Sequence, residues 1–270
     1  MALPHCLPGC AHVHFSNLKH TAQSPLHYKA ARDTGIDDTP ALRIGRVFHE
    51  IVLEEKAAPS YIVWDRDRRG KEWETFRDHH SKPGFDILTT KEFSAANFMA
   101  DAVRHNEMAM RLLKGQHEID MDWTYLGRAC RGTIDALGSE NDVPYITELK
   151  STYIAQPSRF GHIARNLGYF AQLPWYANGA RLSGLIKAEA PYPDLRIVAV
   201  EPKAPYAVTT FFLHSTAIEY GEKCYRLWME QVLNCEASNE WPGYGDGPHM
   251  LDMPEELDLR AGGEAIWGAE

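Results

Sequence analysis

Apolar residues recur at helical spacing in the first part of the chain and alternate with polar ones in the middle. Ile44, Val47, Phe48, Ile51 and Val52 mark one face of an amphipathic helix. Thr39-Pro40 sets its start, with Thr as N-cap and Pro at the first helical position. Ser24-Pro25 gives the same signal for an earlier helix. Tyr61 to Trp64 reads as a short strand, and residues 65–83, polar and charged, as a loop with a helical piece. Thr90 caps a predicted helix running to about residue 114, its apolar positions being Phe93, Ala96, Phe98, Ala102 and Val103.

After Gly115 the period changes. Ile119, Met121, Trp123 and Tyr125 alternate, as a half-buried strand should. Gly127 turns the chain into a second strand, carried by Cys130, Thr133-Ile134 and Ala136-Leu137 and ending near Gly138. A turn over 139–142 leads into a third strand over 143–150. A helix is predicted over about 158–182, strands over 195–200 and 206–213, and a helix capped by Ser215 that runs to about Cys235. Helices, three strands, helix, two strands, helix is the order of an α/β fold whose mixed central β-sheet is flanked by helices. No Gly- or Ser-rich linker divides it. One domain is therefore expected over 1–245, with N-terminal helices within 18–54 and a core over about 90–235. Residues 246–270 read as an acidic, partly mobile tail.

Composition narrows this picture only slightly. With 44% hydrophobic and 24% charged residues, the 270-residue chain is ordinary for a globular protein. No apolar run reaches the roughly 18 residues of a membrane span, and the N-terminus lacks the pattern of a secretory signal. A cytoplasmic location is the expectation. Five cysteines, an odd number, argue against a disulfide framework. Cys6 and Cys10, near His5, His12 and His14, have zinc chemistry but not finger spacing, and a loose N-terminal segment is expected there. A net charge of −9 argues against a sequence-independent DNA binder, but the acids concentrate after residue 236, where Arg260 is the lone Lys or Arg.

Candidate chemistry centres on Glu148-Leu149-Lys150. The tripeptide pattern by itself says little, since Glu54-Glu55-Lys56 and Glu201-Pro202-Lys203 share it. The middle copy closes a strand, and Asp135 lies on the strand before it. In an antiparallel hairpin the two carboxylates can face one another, with Glu148 and Lys150 on one face. Such a group is unfavourable in a core but suits a hard cation such as Mg²⁺; the competing reading is an exposed charge pair on a solvated face. Gln172 and Tyr176, four apart, share a helix face. His49 lies beside the apolar stripe of its helix, one turn after Gly45.

Taken in order, Gly45-Arg46-Val47-Phe48-His49, Arg131-Gly132-Thr133-Ile134-Asp135, Glu148-Leu149-Lys150 and Gln172 with Tyr176 resemble the PD-(D/E)XK nuclease superfamily. Within it the pattern is similar to the exonuclease VIII (RecE-like) group, related to the RecB nuclease domain and to phage recombination exonucleases. Leu18-Lys19, Ser24-Pro25-Leu26-His27-Tyr28, Pro205-Tyr206-Ala207-Val208 and Trp241-Pro242-Gly243-Tyr244 extend the likeness over roughly residues 14 to 245.

The resemblance implies a restriction-endonuclease-like core that degrades linear double-stranded DNA from the 5′ end, beside a single-strand annealing protein and as a homo-oligomeric ring. On it, His49, Asp135, Glu148 and the Leu149 carbonyl bind one or two Mg²⁺ or Mn²⁺ ions. Lys150 orients or deprotonates water and neutralises developing charge, and Gln172 and Tyr176 hold the site. Arg43, Arg46, Arg131 and Arg159 are candidate phosphate contacts, and Glu118 is a further candidate carboxylate. The pattern departs from the group at Pro174, which falls between Gln172 and Tyr176, and at Glu148, where relatives often have Asp. An iron–sulfur cluster is not expected, because three clustered C-terminal cysteines are missing. The rival readings are a non-catalytic DNA-binding module of this fold and a nuclease of other polarity or substrate.

Overall fold

The computed structural model describes residues 10–35, 38–54, 56–245, 247–248 and 250. Along the chain come β1 (Val13–His14), α1 (Phe15–Leu18), a 3₁₀ turn (Lys19–Ala22), α2 (Pro25–Thr34), α3 (Pro40–Leu53), β2 (Tyr61–Trp64), α4 (Gly70–His80), β3 (Asp86–Thr89), α5 (Thr90–Arg104) and α6 (Glu107–Leu112). Then follow β4 (Gln116–Tyr125), β5 (Arg128–Glu140), β6 (Val143–Ser151), α7 (Pro157–Asn166), α8 (Tyr169–Leu182), β7 (Asp194–Val200), β8 (Val208–Phe212) and α9 (Ser215–Ser238).

The helix starts have local causes. The Ser24 side chain accepts the His27 N–H, and the Thr39 side chain accepts that of Leu42, each with proline next in line. The fifth helix is capped by Thr89 rather than Thr90, because Thr89 and Glu92 form a reciprocal capping box. It stops at Arg104, and Asn106 caps α6 separately. The predicted helix over 158–182 is two helices. Gly168, at φ 77°, is left-handed, which separates α7 from α8. The polar stretch 65–83 holds all of α4, and the short strands β1 and β3 carry too little pattern to be read from sequence.

Among the described residues, six strands form one mixed sheet and β2 and β3 a separate parallel pair. β4, β5 and β6 are an antiparallel meander, β7 runs parallel to β6, and β8 antiparallel to β7. Two-residue turns set the hairpin registers: Leu126 and Gly127 at φ 48° and 79°, Asn141 and Asp142 at φ 51° and 63°. The second turn is shorter than the four residues anticipated, so β5 continues to Glu140.

Helices cover both sheet faces. On one, Phe15, Ile134, Ile146, Trp175, Ile197 and Met229 form a core with α7, α8 and α9. On the other, Phe48, Met99, Val103, Ala136, Leu149 and Val198 pack with α3, α5 and α6. Among the described residues no helix is long and apolar enough to cross a membrane.

Candidate active site

β6 sends alternate residues to opposite faces, and this places Glu148. Leu149 is fully buried in the core beneath α3 and α5. Glu148, next to it, therefore faces α8 and is 1% exposed. Lys150 follows on the same face, and its Nζ donates to Glu148 Oε2 at 2.6 Å. The Lys150 ammonium also lies 5.3 Å from the ring centroid of Tyr169. The other carboxylate oxygen, Glu148 Oε1, is buried with no hydrogen-bond partner. A buried acceptor left in that state is costly, and a cation would satisfy it.

Asp135 sits where the sheet opens. One edge of β5 is shared in succession: β1 pairs with residues 130 and 131, β6 with residues 136 to 140, and neither with 132 to 135. Ile134 and Ala136, two apart, pack into cores on opposite faces, so the strand's alternation slips at Asp135. Its Oδ2 accepts the Leu149 N–H at 2.7 Å, in place of a ladder bond.

The β4–β5 register supplies a third acid. His117 pairs with Ala136 and Ile119 with Ile134, so Glu118 stands opposite Asp135. Glu118 has φ 49°, a left-handed conformation uncommon for a side chain of this kind. From the other side, α3 brings His49 Nδ1 to 3.6 Å from Asp135 Oδ1. One donor atom each from His49, Glu118 and Asp135 lie within 4.8 Å of one another.

Charge is unbalanced here. Burial, then Asp135, pushes Glu148 up to about 7 against the pull of Lys150. Burial and Asp135 likewise push Glu118 up to about 7 against His49. For Asp135 burial acts upward, but His49, Lys150 and the Leu149 N–H outweigh it and hold the carboxyl below its usual range. Burial opposes charge on His49 and Lys150, yet the neighbouring carboxylates raise both. Three carboxyl groups, one of them with an orphaned buried oxygen, and a histidine are donors that could hold a divalent cation, with oxygen ligands in the majority.

α8 closes the remaining side. It runs through Pro174 as one helix, so Gln172 and Tyr176 stay on a common face, and Gln172 Nε2 donates to the Tyr176 hydroxyl at 3.2 Å. Tyr176 lies flat enough against β5 that a Cβ at Gly132 would fall 2.8 Å from its ring, which explains a glycine three residues before Asp135.

The structure thus brings together His49, Asp135, Glu148, Lys150, Gln172 and Tyr176. Glu118 moves from a further candidate to a member of the cluster; the signal in the sequence is the hairpin register counted back from the Leu126-Gly127 turn. Sequence reasoning misses Tyr169, because the break at Gly168 that aims it was hidden inside a predicted helix. The arginines stand apart. Arg43 pairs with Asp38 and Glu92, Arg46 with Asp38 and Asp86, and Arg131 with Asp122. Any phosphate contact by these three competes with those acids, whereas Arg159 is exposed on α7. His5 and Cys6 lie outside the described residues; Cys10 Sγ is 3.6 Å from His14 Nε2.

Comparison with known proteins gives the family and the fold. The model of a family described as a PDDEXK-like domain of unknown function (DUF3799) matches residues 14–252. No curated protein matches the sequence. A solved structure from Eubacterium rectale, which carries the name "Putative exonuclease", is similar over 93% of this chain and 94% of that one, with TM-score 0.59 and 13% identity. At that identity the likeness shows a shared fold.

Proposed function

The chain belongs to the PDDEXK-like family, and on that premise we propose that it is a divalent-metal-dependent exodeoxyribonuclease acting on the ends of linear double-stranded DNA. The observation that carries the reading is the convergence of His49, Glu118 and Asp135 within 4.8 Å, beside the buried Glu148–Lys150 pair. His49, Glu118, Asp135 and Glu148, with the Leu149 carbonyl, are the groups that would hold Mg²⁺ or Mn²⁺. When bound, the ion supplies Lewis-acid chemistry, acidifying water and neutralising charge at the phosphate.

The chain's own residues do the rest. Asp135 is fixed by the Leu149 N–H, so its other oxygen, the one facing His49, keeps one direction. Lys150 is held as an ammonium by Glu148 and stands ready to neutralise charge on the scissile phosphate or, once that carboxylate is engaged elsewhere, to take a proton from water. Gln172 and Tyr176 brace the phosphate side of the site, with Tyr169 over Lys150.

The sequence resemblance to the RecE-like group supports 5′ to 3′ polarity, a 3′ single-strand product and action as a ring beside a single-strand annealing protein. The test is linear duplex DNA labelled at either the 5′ or the 3′ end, incubated with Mg²⁺ beside closed circles. Early release of the 5′ label with circles left intact is the expected result. Early release of the 3′ label overturns the polarity, and cutting of circles at a comparable rate overturns the exonuclease reading.

A further inference from the structure

Between Glu148 and Glu189 the sequence contains no Asp or Glu, in a chain that has 37 of them. This stretch carries Lys150, the loop 152–156 and α7. Arg159 and Arg165, both exposed on α7, have no hydrogen-bond or ion-pair partner among the described residues. The other described arginines are all engaged, by carboxylates, by backbone carbonyls or, for Arg226, by Tyr125. α7 buries Phe160, Ile163 and Ala164 and turns Arg159, His162 and Arg165 outward, three residues apart, as neighbours along the helix surface. Contact ties this helix to the candidate site. The Phe160 ring lies 6.2 Å from that of Tyr169, and the Tyr169 centroid lies 5.3 Å from Lys150 Nζ.

Tyr153 stands where this basic face meets the strand that bears Lys150. At 72% it is the most exposed aromatic side chain among the described residues, and it has no hydrogen-bond or ring partner there. The loop beneath it is pinned on both sides. The Thr152 N–H donates to the Val200 carbonyl at 2.9 Å, the Thr152 hydroxyl to the Ile154 carbonyl at 3.2 Å, and the Ala155 N–H to Glu201 Oε1 at 2.8 Å. Three residues of chain, about 10 Å at full extension, separate it from Lys150. A single exposed tyrosine is ordinary on a protein surface. This one differs in its fixed backbone, its place beside Lys150 and the acid-free basic face that follows it.

We propose that Tyr153 stacks on an unpaired base of the DNA strand held at the candidate site, and that Arg159 and Arg165 contact phosphates of the same strand along α7. The inference rests on the nuclease reading above. It adds that the strand is unpaired at this point, because a base inside a duplex keeps its faces covered by its neighbours. An aromatic platform beside a basic track is the arrangement that holds single strands without reading their sequence. Arg159 and Arg165 are separated by about 9 Å along the helix, the rise of about two to three nucleotides at about 3.4 Å each. No carboxylate holds either guanidinium, so a phosphate meets them without displacing a partner.

Tyr153→Ala, Tyr153→Phe and the double substitution Arg159→Gln with Arg165→Gln test this in the full chain. All three positions are exposed, so the thermal midpoint should hold. Affinity is measured in Ca²⁺ over a salt series for a single-stranded oligonucleotide, for an abasic strand of the same length and for blunt duplex DNA. Tyr153→Ala should bind the oligonucleotide about tenfold more weakly with an unchanged salt slope, and Tyr153→Phe, which keeps the ring, should recover most of that loss. On the abasic strand Tyr153→Ala and wild type should bind alike. The arginine pair should make the salt slope shallower by about one to two on both strands. Tyr153→Ala with wild-type affinity for the oligonucleotide, or with an equal loss on the abasic strand, overturns the stacking. An unchanged salt slope in the arginine variant overturns the phosphate track. Wild-type protein that binds duplex but not the single strand overturns this proposal and leaves the nuclease reading standing. Wild-type protein that neither binds DNA in Ca²⁺ nor cleaves it with any divalent metal overturns the nuclease reading itself, and this proposal with it.

Discussion

Gly221 of α9 sits against the backbone carbonyl of Phe170 in α8, so closely that a Cβ there would overlap the oxygen. That carbonyl is the one Pro174 cannot serve, because proline has no N–H to donate four residues on. The proline inside α8 and the glycine inside α9 are thus one feature of helix packing. In most helices Gly→Ala stabilises by up to about 1 kcal/mol. Gly221→Ala should instead destabilise by about 1–3 kcal/mol through overpacking, and it should weaken cleavage by shifting Gln172 and Tyr176. Urea and thermal unfolding measure the first effect; an unchanged or raised midpoint would contradict so close a helix contact.

Asp135 has two duties, and substitutions can separate them. Asp135→Ala removes a ligand and also strips the buried Leu149 N–H of its acceptor, at a cost of about 1–3 kcal/mol. Asp135→Asn keeps an acceptor oxygen but loses the charge. Both should abolish turnover in Mg²⁺, and Asn should retain more of the wild-type stability. Near-normal turnover by either variant removes Asp135 from the site.

His49→Ala should lower activity by about tenfold or more, with partial recovery in excess Mn²⁺, which accepts nitrogen ligands more readily than Mg²⁺. Isothermal titration with Mn²⁺ should show weakened binding for His49→Ala and for Glu118→Gln alike. Unchanged metal affinity in Glu118→Gln would return that residue to a structural role in the β4–β5 hairpin.

The pH dependence follows from the crowded acids. Glu118 and Glu148 are both raised to about 7 from an ordinary value near 4.5. Between those limits the folded, metal-free protein binds more protons than the unfolded chain. Stability from this pair is therefore fully present below about 4.5 and is lost as pH rises through about 7. Metal binding needs the ionised carboxylates and an unprotonated His49, so it releases protons and strengthens over the same interval. Thermal scans should show a larger midpoint increase on adding Mn²⁺ at pH 8 than at pH 5.5. Equal increases would sink the assignment of these carboxylates to metal.

Lys150 can be questioned directly. Lys150→Ala leaves Glu148 buried without its cation and should cut the chemical step strongly, while DNA binding in Ca²⁺ changes little. Lys150→Arg keeps a charge but is a very poor base. Appreciable single-turnover cleavage by the arginine variant indicates electrostatic stabilisation, and its absence with intact binding indicates proton transfer. An alanine variant that cleaves normally takes Lys150 out of the mechanism.

Much of this architecture was legible in the chain. Period two over 119–125, proline after Ser24 and Thr39, and the Glu148-Leu149-Lys150 ending of a strand are local patterns, and local patterns survive without tertiary information. The places where the reading slipped are non-local or single-residue events. The break at Gly168 rests on one left-handed glycine within an otherwise helical stretch. β1 is two residues long and exists only because β5 offers it an edge.

The candidate site divides in the same way. The chemical groups present and the strand that bears Glu148 and Lys150 can be read from the chain, because side-chain identity and two-residue alternation are local properties. That Glu118 faces Asp135, that His49 reaches them from α3, and that three of the four candidate arginines are already held by acids emerges once the chain is folded. Those relations depend on hairpin register, on helices packed from opposite faces of the sheet, and on distances between residues far apart in sequence, where burial and neighbouring charge, rather than residue type, set what each group does.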